Sequence, residues 1–120
     1  MPVPTLVKHD AVFFKTPGGA EPVRAWVLSL AREERKLIGV DIAYVQYKWP
    51  IGAPRVKHLR GGLWEVRSDL RGRIARVLFA VSGGEMILLH GFIKKTRKTP
   101  ADDIDLAESR WKEWKRAESE

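Results

Sequence analysis

The chain has 120 residues, a formal net charge of +7 at neutral pH and a sequence pI near 10.0. Its 44% hydrophobic and 31% charged residues are typical of a globular domain and exclude a disordered tail or a membrane protein. The absence of cysteine excludes disulfides, zinc-thiolate sites and thiol catalysis.

We therefore expect a single domain over residues 1–120 that folds without a cofactor and works in the cytoplasm, since the amino terminus also lacks a signal pattern. The excess of cations favours a polyanionic partner, either nucleic acid or an acidic protein. The alternative is a basic surface that only aids solubility.

The first third of the chain predicts one strand and two helices. Residues 11–15 have the apolar, aromatic character of a short strand. A helix is expected from Ala20, with Pro22 in its first turn, and a second helix over residues 32–47 begins with two glutamates. The apolar stripe of the first helix is Val23, Trp26, Val27 and Leu30.

The middle of the chain has the rhythm of strands. Residues 63–68, 73–81 and 86–93 are predicted strands, and the short connections between them contain glycine. Two adjacent hairpins of this kind predict an antiparallel meander. The fold class is therefore α+β, with an amino-terminal helical pair packed on a small antiparallel meander and a carboxy-terminal helix.

The closing helix has the clearest predicted boundary. Thr99 is the expected cap and Pro100 the first helical residue, with aspartates in the first turns and cations near the end. One apolar stripe should pack on the sheet or against the first helices, and it consists of Ile104, Ala107, Trp111 and Trp114.

Arg76 interrupts an apolar strand, where it shares a face with Ile74 and Leu78. Because an unpaired buried charge is expensive, its guanidinium must find a partner or lie at a cleft. Two interpretations stay open. Arg76 forms a structural ion pair with Glu65 or a helix-end carbonyl, or it points at a phosphate from a rigid strand.

Cations also cluster on both sides of the predicted meander. Residues 94–98 (KKTRK) contain four cations at the junction of the last strand and the last helix, where a helix start favours anions. The alternative is a solvated basic loop. A sparser group precedes the first hairpin and consists of Arg55, Lys57, His58 and Arg60.

This charge pattern limits the possible chemistry. Cations without a matching set of acids do not suit Mg²⁺, so neither a metal site nor two-metal nuclease chemistry is expected. The remaining route to RNA cleavage is attack by the ribose 2′-OH on the adjacent phosphate, which needs charge stabilisation and proton transfer. An arginine can bind the phosphate oxygens, and a lysine crowded by cations has a lowered pKa.

Five motifs stand out between residues 57 and 116: Leu59, residues 62–67 (GLWEVR), 76–79 (RVLF), 89–96 (LHGFIKKT) and 98–100 (KTP). As a set they resemble the phage-derived branch of HigB toxins in the RelE/ParE superfamily. The resemblance implies a compact RelE-like domain and metal-independent cleavage of mRNA in the ribosomal A site. It also implies a toxin that is monomeric until a helix-turn-helix HigA-like antitoxin neutralises it.

The resemblance also assigns roles to individual residues. Arg67, Arg76 and Lys95 fall at positions of catalytic cations, with Lys94 as an adjacent possibility. The tyrosine that RelE uses near its carboxy terminus has no counterpart, so the candidates for the general base are Lys95, Lys98 and His90, in that order. A lone strand histidine such as His90 is more often a satisfied core residue. The expected RNA-binding residues are Lys57, Arg60, Arg73, Lys94 and Lys98.

One further departure concerns Glu65, and two other functions stay open. Glu65 stands where RelE has a basic residue, although an acid there is in keeping with the phage-derived branch. The same superfamily contains ParE-like toxins that poison DNA gyrase, and fold alone does not decide between them. A non-catalytic interaction module is the third possibility, supported by the missing tyrosine. Arg67, Arg76 and Lys95 together favour the ribonuclease.

Overall fold

The computed structural model describes residues 8–52, 54–95 and 97–119. Within them lie three helices and five strands, so the α+β class is confirmed. In chain order the elements are β1 (Asp10–Phe13), α1 (Pro22–Leu28), α2 (Arg32–Lys48), β2 (Val56–His58), β3 (Trp64–Asp69), β4 (Ile74–Ser82), β5 (Glu85–Lys94) and α3 (Ala101–Glu118). None of the helices in these described ranges is long and apolar enough to cross a membrane.

The five strands form one mixed sheet in the order β1-β5-β4-β3-β2. Strands β2 to β5 are antiparallel to their neighbours, whereas β1 runs parallel to β5 from the pair Asp10 and Glu85 onward. The predicted antiparallel meander is confirmed in β3, β4 and β5, whereas the parallel pairing of β1 with β5, which makes the sheet mixed, was not predicted. The helical pair follows β1 and is therefore not strictly amino-terminal. Local periodicity predicts that a strand exists, but its partner is set by contacts distant in sequence.

Helices α1 and α2 cover one face of this sheet. Ile38, Ile42 and Val45 of α2 are buried at spacings of four and three residues, as an amphipathic helix requires. Helix α1 lies mainly on β5 and α2 mainly on β3. Gly91 of β5 makes this approach possible, because a β-carbon there would lie 2.4 Å from the Trp26 ring.

Helix α3 covers the opposite face. Its predicted apolar stripe is confirmed, with Ala107 buried and its neighbours in the stripe packed on apolar side chains of β4 and β5. The prediction of its cap was wrong. Pro100 itself occupies the cap position and no side chain caps the helix, while the Thr99 hydroxyl instead donates a hydrogen bond to Glu65. A hydrogen bond to a charged carboxylate is stronger than the bond between neutral groups that a helix cap would provide.

Candidate active site

Charged side chains meet on the α3 face of the sheet, toward one end of the strands. The strand register places Lys57 of β2 opposite Glu65 of β3, and Arg67 of β3 opposite Arg76 of β4. Lys94, the last residue of β5, lies diagonal to Arg76 across the next ladder. Because side chains alternate along a strand, these five residues from four strands share one face.

Glu65 and Arg76 form a buried ion pair within this group. Their exposed fractions are 1% and 7%, and Nη1 of Arg76 donates to Oε1 of Glu65. The Thr99 hydroxyl donates to the other carboxylate oxygen, so both oxygens of Glu65 are used. Of the two interpretations of Arg76, the ion pair with Glu65 is therefore confirmed. It leaves Nε of Arg76 buried without a hydrogen-bond partner among the described residues.

Lys94 is partly buried beside this pair, and its pKa is shifted. Burial lowers the pKa of the Lys94 ammonium, and the positive charge of Arg76 lowers it further. Glu65 opposes the shift, whereas Arg67 and Lys57 add to it. A lysine with a lowered pKa is neutral more often near pH 7 and is better suited to transfer a proton.

Arg67 and Lys94 line an open cleft of about 780 Å³ at the ends of β3, β4 and β5. Among the residues described by the structure, five cations and one carboxylate line it. A space with this charge attracts a polyanion such as the phosphate backbone of RNA. The remaining lining residues are Asp69, Gly72, Arg73, Ile74, Lys95 and Arg97.

Known protein sequences match the part of the chain that contains the cleft residues. A profile of phage-derived Gp49-like proteins matches residues 25–112, which contain strands β2 to β5 and most of α3. The chain belongs to this family. It is also similar to the protein named Probable endoribonuclease HigB1 in two strains of Mycobacterium tuberculosis, with 37% identity over 67 residues.

That alignment covers 56% of this chain and 54% of each relative, so the chain spans about half the length of the curated relatives it matches. The resemblance to phage-derived HigB toxins is thereby confirmed.

Two of the expected RNA-binding arginines are engaged with acids. The guanidinium of Arg60 lies 2.5 Å from an Asp105 oxygen and 3.3 Å from a Glu108 oxygen on α3. Arg73 donates two hydrogen bonds of 2.7 Å to Glu34 of α2, and these bonds lower the pKa of that carboxyl. Arg60 joins the segment between β2 and β3 to α3, and Arg73 joins the turn between β3 and β4 to α2. Their RNA-binding role stays a prediction.

Of the other sequence candidates, Lys95 alone is among the described residues that line the cleft. His90 Nε2 is 2.6 Å from an Asp103 oxygen, so the histidine joins β5 to the first turn of α3. Lys95 is exposed and lines the cleft, and Lys98 is exposed in the segment before α3. Lys57 is exposed on β2. None of their proposed roles is decided by position alone.

The family resemblance favoured Lys95, with Lys94 as the adjacent possibility, whereas the structure places Lys94 on the face that carries Arg76. Sequence periodicity placed the end of the last strand at Ile93, whereas β5 continues to Lys94. One more residue of strand puts Lys94 on the same face as Arg76. Because alternate residues of a strand share a face, His90, Phe92 and Lys94 lie on the same side of a strand that continues to residue 94.

Proposed function

We propose that the protein is the toxin of a type II toxin-antitoxin pair and an endoribonuclease that cuts mRNA on the ribosome, in the cytoplasm. The observation that carries this proposal is the meeting of Arg67, Arg76 and Lys94 beside a cleft lined by five cations and one carboxylate. The similarity to Probable endoribonuclease HigB1 supports RNA cleavage. The partner that neutralises it is a helix-turn-helix antitoxin of the HigA class.

The reaction divides among three side chains that line this cleft, with a contribution from Arg76 beside it. Arg67 binds the phosphate oxygens and stabilises the charge that develops on them, with Arg76 adding positive potential from its buried position. Neutral Lys94 accepts the proton of the ribose 2′-OH as its oxygen bonds to phosphorus. Lys95, which lines the same cleft, donates a proton to the 5′-oxygen as the P–O bond breaks. The products are a 2′,3′-cyclic phosphate and a 5′-hydroxyl.

This scheme routes no step through a metal ion. The charge that a divalent cation supplies in other nucleases comes here from arginine and lysine side chains. Asp69 is the one carboxylate among the described lining residues, and a single carboxylate is a poor donor set for Mg²⁺.

The test uses purified protein and ribosomes stalled on a defined mRNA, with the same mRNA free in solution as the comparison. We expect cuts within the A-site codon of the ribosomal sample and 5′-hydroxyl ends, mapped by primer extension. The variant Arg67→Ala should remove the cuts. Intact mRNA together with trapped gyrase-DNA complexes would show a gyrase poison instead, and harmless overexpression would show an interaction module.

A further inference from the structure

A second cleft of about 600 Å³ adjoins the first. Arg67 and Asp69 belong to the walls of both, so the two clefts form one groove around the end of β3. The other walls come from α2 and the segment that follows it. They are Leu37, Val40, Asp41, Tyr44, Ile51, Gly52, Pro54 and Arg55.

More apolar and aromatic residues line the second cleft than the first, and two of them are exposed, Val40 at 59% and Tyr44 at 38%. The Arg55 guanidinium lies over the Tyr44 ring, 4.1 Å from its centre, and Arg55 Nη1 lies 3.6 Å from an Asp41 oxygen. Exposed apolar surface of this kind, bordered by charges, is typical of a binding site.

The geometry points to a nucleobase as the occupant, and we propose that the cleft holds one unpaired base of the mRNA next to the scissile phosphate. The inference rests on the proposed function and names a part of its substrate recognition. A flat base stacks on an aromatic ring or a guanidinium, as Tyr44 and Arg55 offer. The continuous groove leads from Arg67, where the scissile phosphate is proposed to bind, to the base stacked at Tyr44 and Arg55.

The shared wall indicates which base fits. Asp69 lies between the two clefts, and a carboxylate accepts hydrogen bonds from the N–H groups on a base edge. Guanine presents two adjacent N–H donors on its pairing edge. The second cleft should therefore prefer guanine on one side of the cut.

The chain offers a matched pair of variants for the test. Tyr44→Ala removes the stacking ring, while Tyr47→Ala removes a tyrosine of the same helix that is 51% exposed and lines neither cleft. Ribosomes are loaded with a series of mRNAs, each of which carries one abasic nucleotide at a different position next to the cut. Single-turnover cleavage is then measured for the native protein and both variants.

At one position the abasic nucleotide should slow the native protein by about 10- to 100-fold. Tyr44→Ala should slow cleavage of intact mRNA by a similar factor and be insensitive to the abasic nucleotide, because both changes remove the same contact. Tyr47→Ala should behave as the native protein does. Asp69→Asn should weaken the guanine preference in transcript-wide maps of the cuts.

A second readout does not need cleavage. A 2-aminopurine at the same position, in mRNA made uncleavable by a 2′-deoxyribose, should lose fluorescence when the native protein binds and keep it with Tyr44→Ala. Unchanged fluorescence with the native protein overturns the base site, whether or not the protein cuts mRNA. The base site is also overturned if the two tyrosine variants respond equally to the abasic nucleotides. If Tyr44→Ala then weakens only antitoxin binding, the cleft is a protein-docking site.

Discussion

The two faces of the sheet bury different chemistry. The face under α1 and α2 is built from side chains such as Val66, Val77 and Phe79, which form one apolar cluster with the helices. The face under α3 is apolar where α3 crosses β4 and β5, but toward the strand ends it holds Glu65 and Arg76. The gain in stability from burying apolar side chains is enough to explain the composition of the first face. Buried charges cost stability, so the second face needs an explanation in function.

The largest effects should come from separating the buried ion pair. Glu65→Leu or Arg76→Met leaves one buried charge unpaired, and each should lower the free energy of unfolding by about 3–5 kcal/mol. The double variant should regain most of that stability, because two apolar side chains replace the pair. It should still fail to cut mRNA. Urea unfolding and ribosomal cleavage measure the two outcomes.

A variant on the α1 and α2 face serves as the control for loss of stability. Phe79→Ala should cost about 3–5 kcal/mol through a cavity in the apolar cluster, yet keep its activity per folded molecule. Recovery of cleavage in the Glu65→Leu, Arg76→Met double variant would mean that the charged end serves packing alone, and the contrast between the faces would lose its functional meaning.

The next effects concern the two adjacent lysines at the end of β5. Lys94→Met should slow cleavage about 10²- to 10⁴-fold by removing the proton acceptor, and Lys95→Met about 10²-fold by removing the proton donor. An mRNA with sulfur in place of the leaving 5′-oxygen needs no proton on its leaving group. It should rescue Lys95→Met but not Lys94→Met. Rescue of Lys94→Met alone would reverse the roles, and rescue of both variants would show that both lysines act on the leaving group and that neither accepts the 2′-OH proton.

A smaller effect is expected in the pH dependence of stability. Since the pKa of Lys94 is lowered in the folded protein, the unfolded chain binds more protons between the folded pKa and the ordinary lysine pKa. The free energy of unfolding should therefore rise as pH increases through that window. Lys94→Met should remove this rise, whereas a slope unchanged in the variant would show that another group causes it.

How well the sequence predicts these two faces depends on how far apart in the chain the contacting residues lie. The helix and strand periods place most element ends within a residue or two, and they place Arg67 beside Glu65 and Arg76 beside Leu78 on one face of each strand. The strand register then brings the two arginines together. The parallel pairing of β1 with β5 joins residues about seventy-five positions apart, and no local pattern encodes it. The contact between Thr99 and Glu65 has the same origin, as does the cleft formed by α2 and the end of β3.

The smallest effects should come from arginines that face the solvent beside acids. Arg60→Gln and Arg73→Gln should change ribosomal cleavage only a few-fold, because their guanidinium groups already bind Asp105 and Glu34 and RNA must break those pairs first. Arg67→Gln removes the same unit charge from the cleft and should abolish cleavage. Equal losses in all three variants would show that total charge, rather than the charged end of the α3 face, brings the protein to RNA.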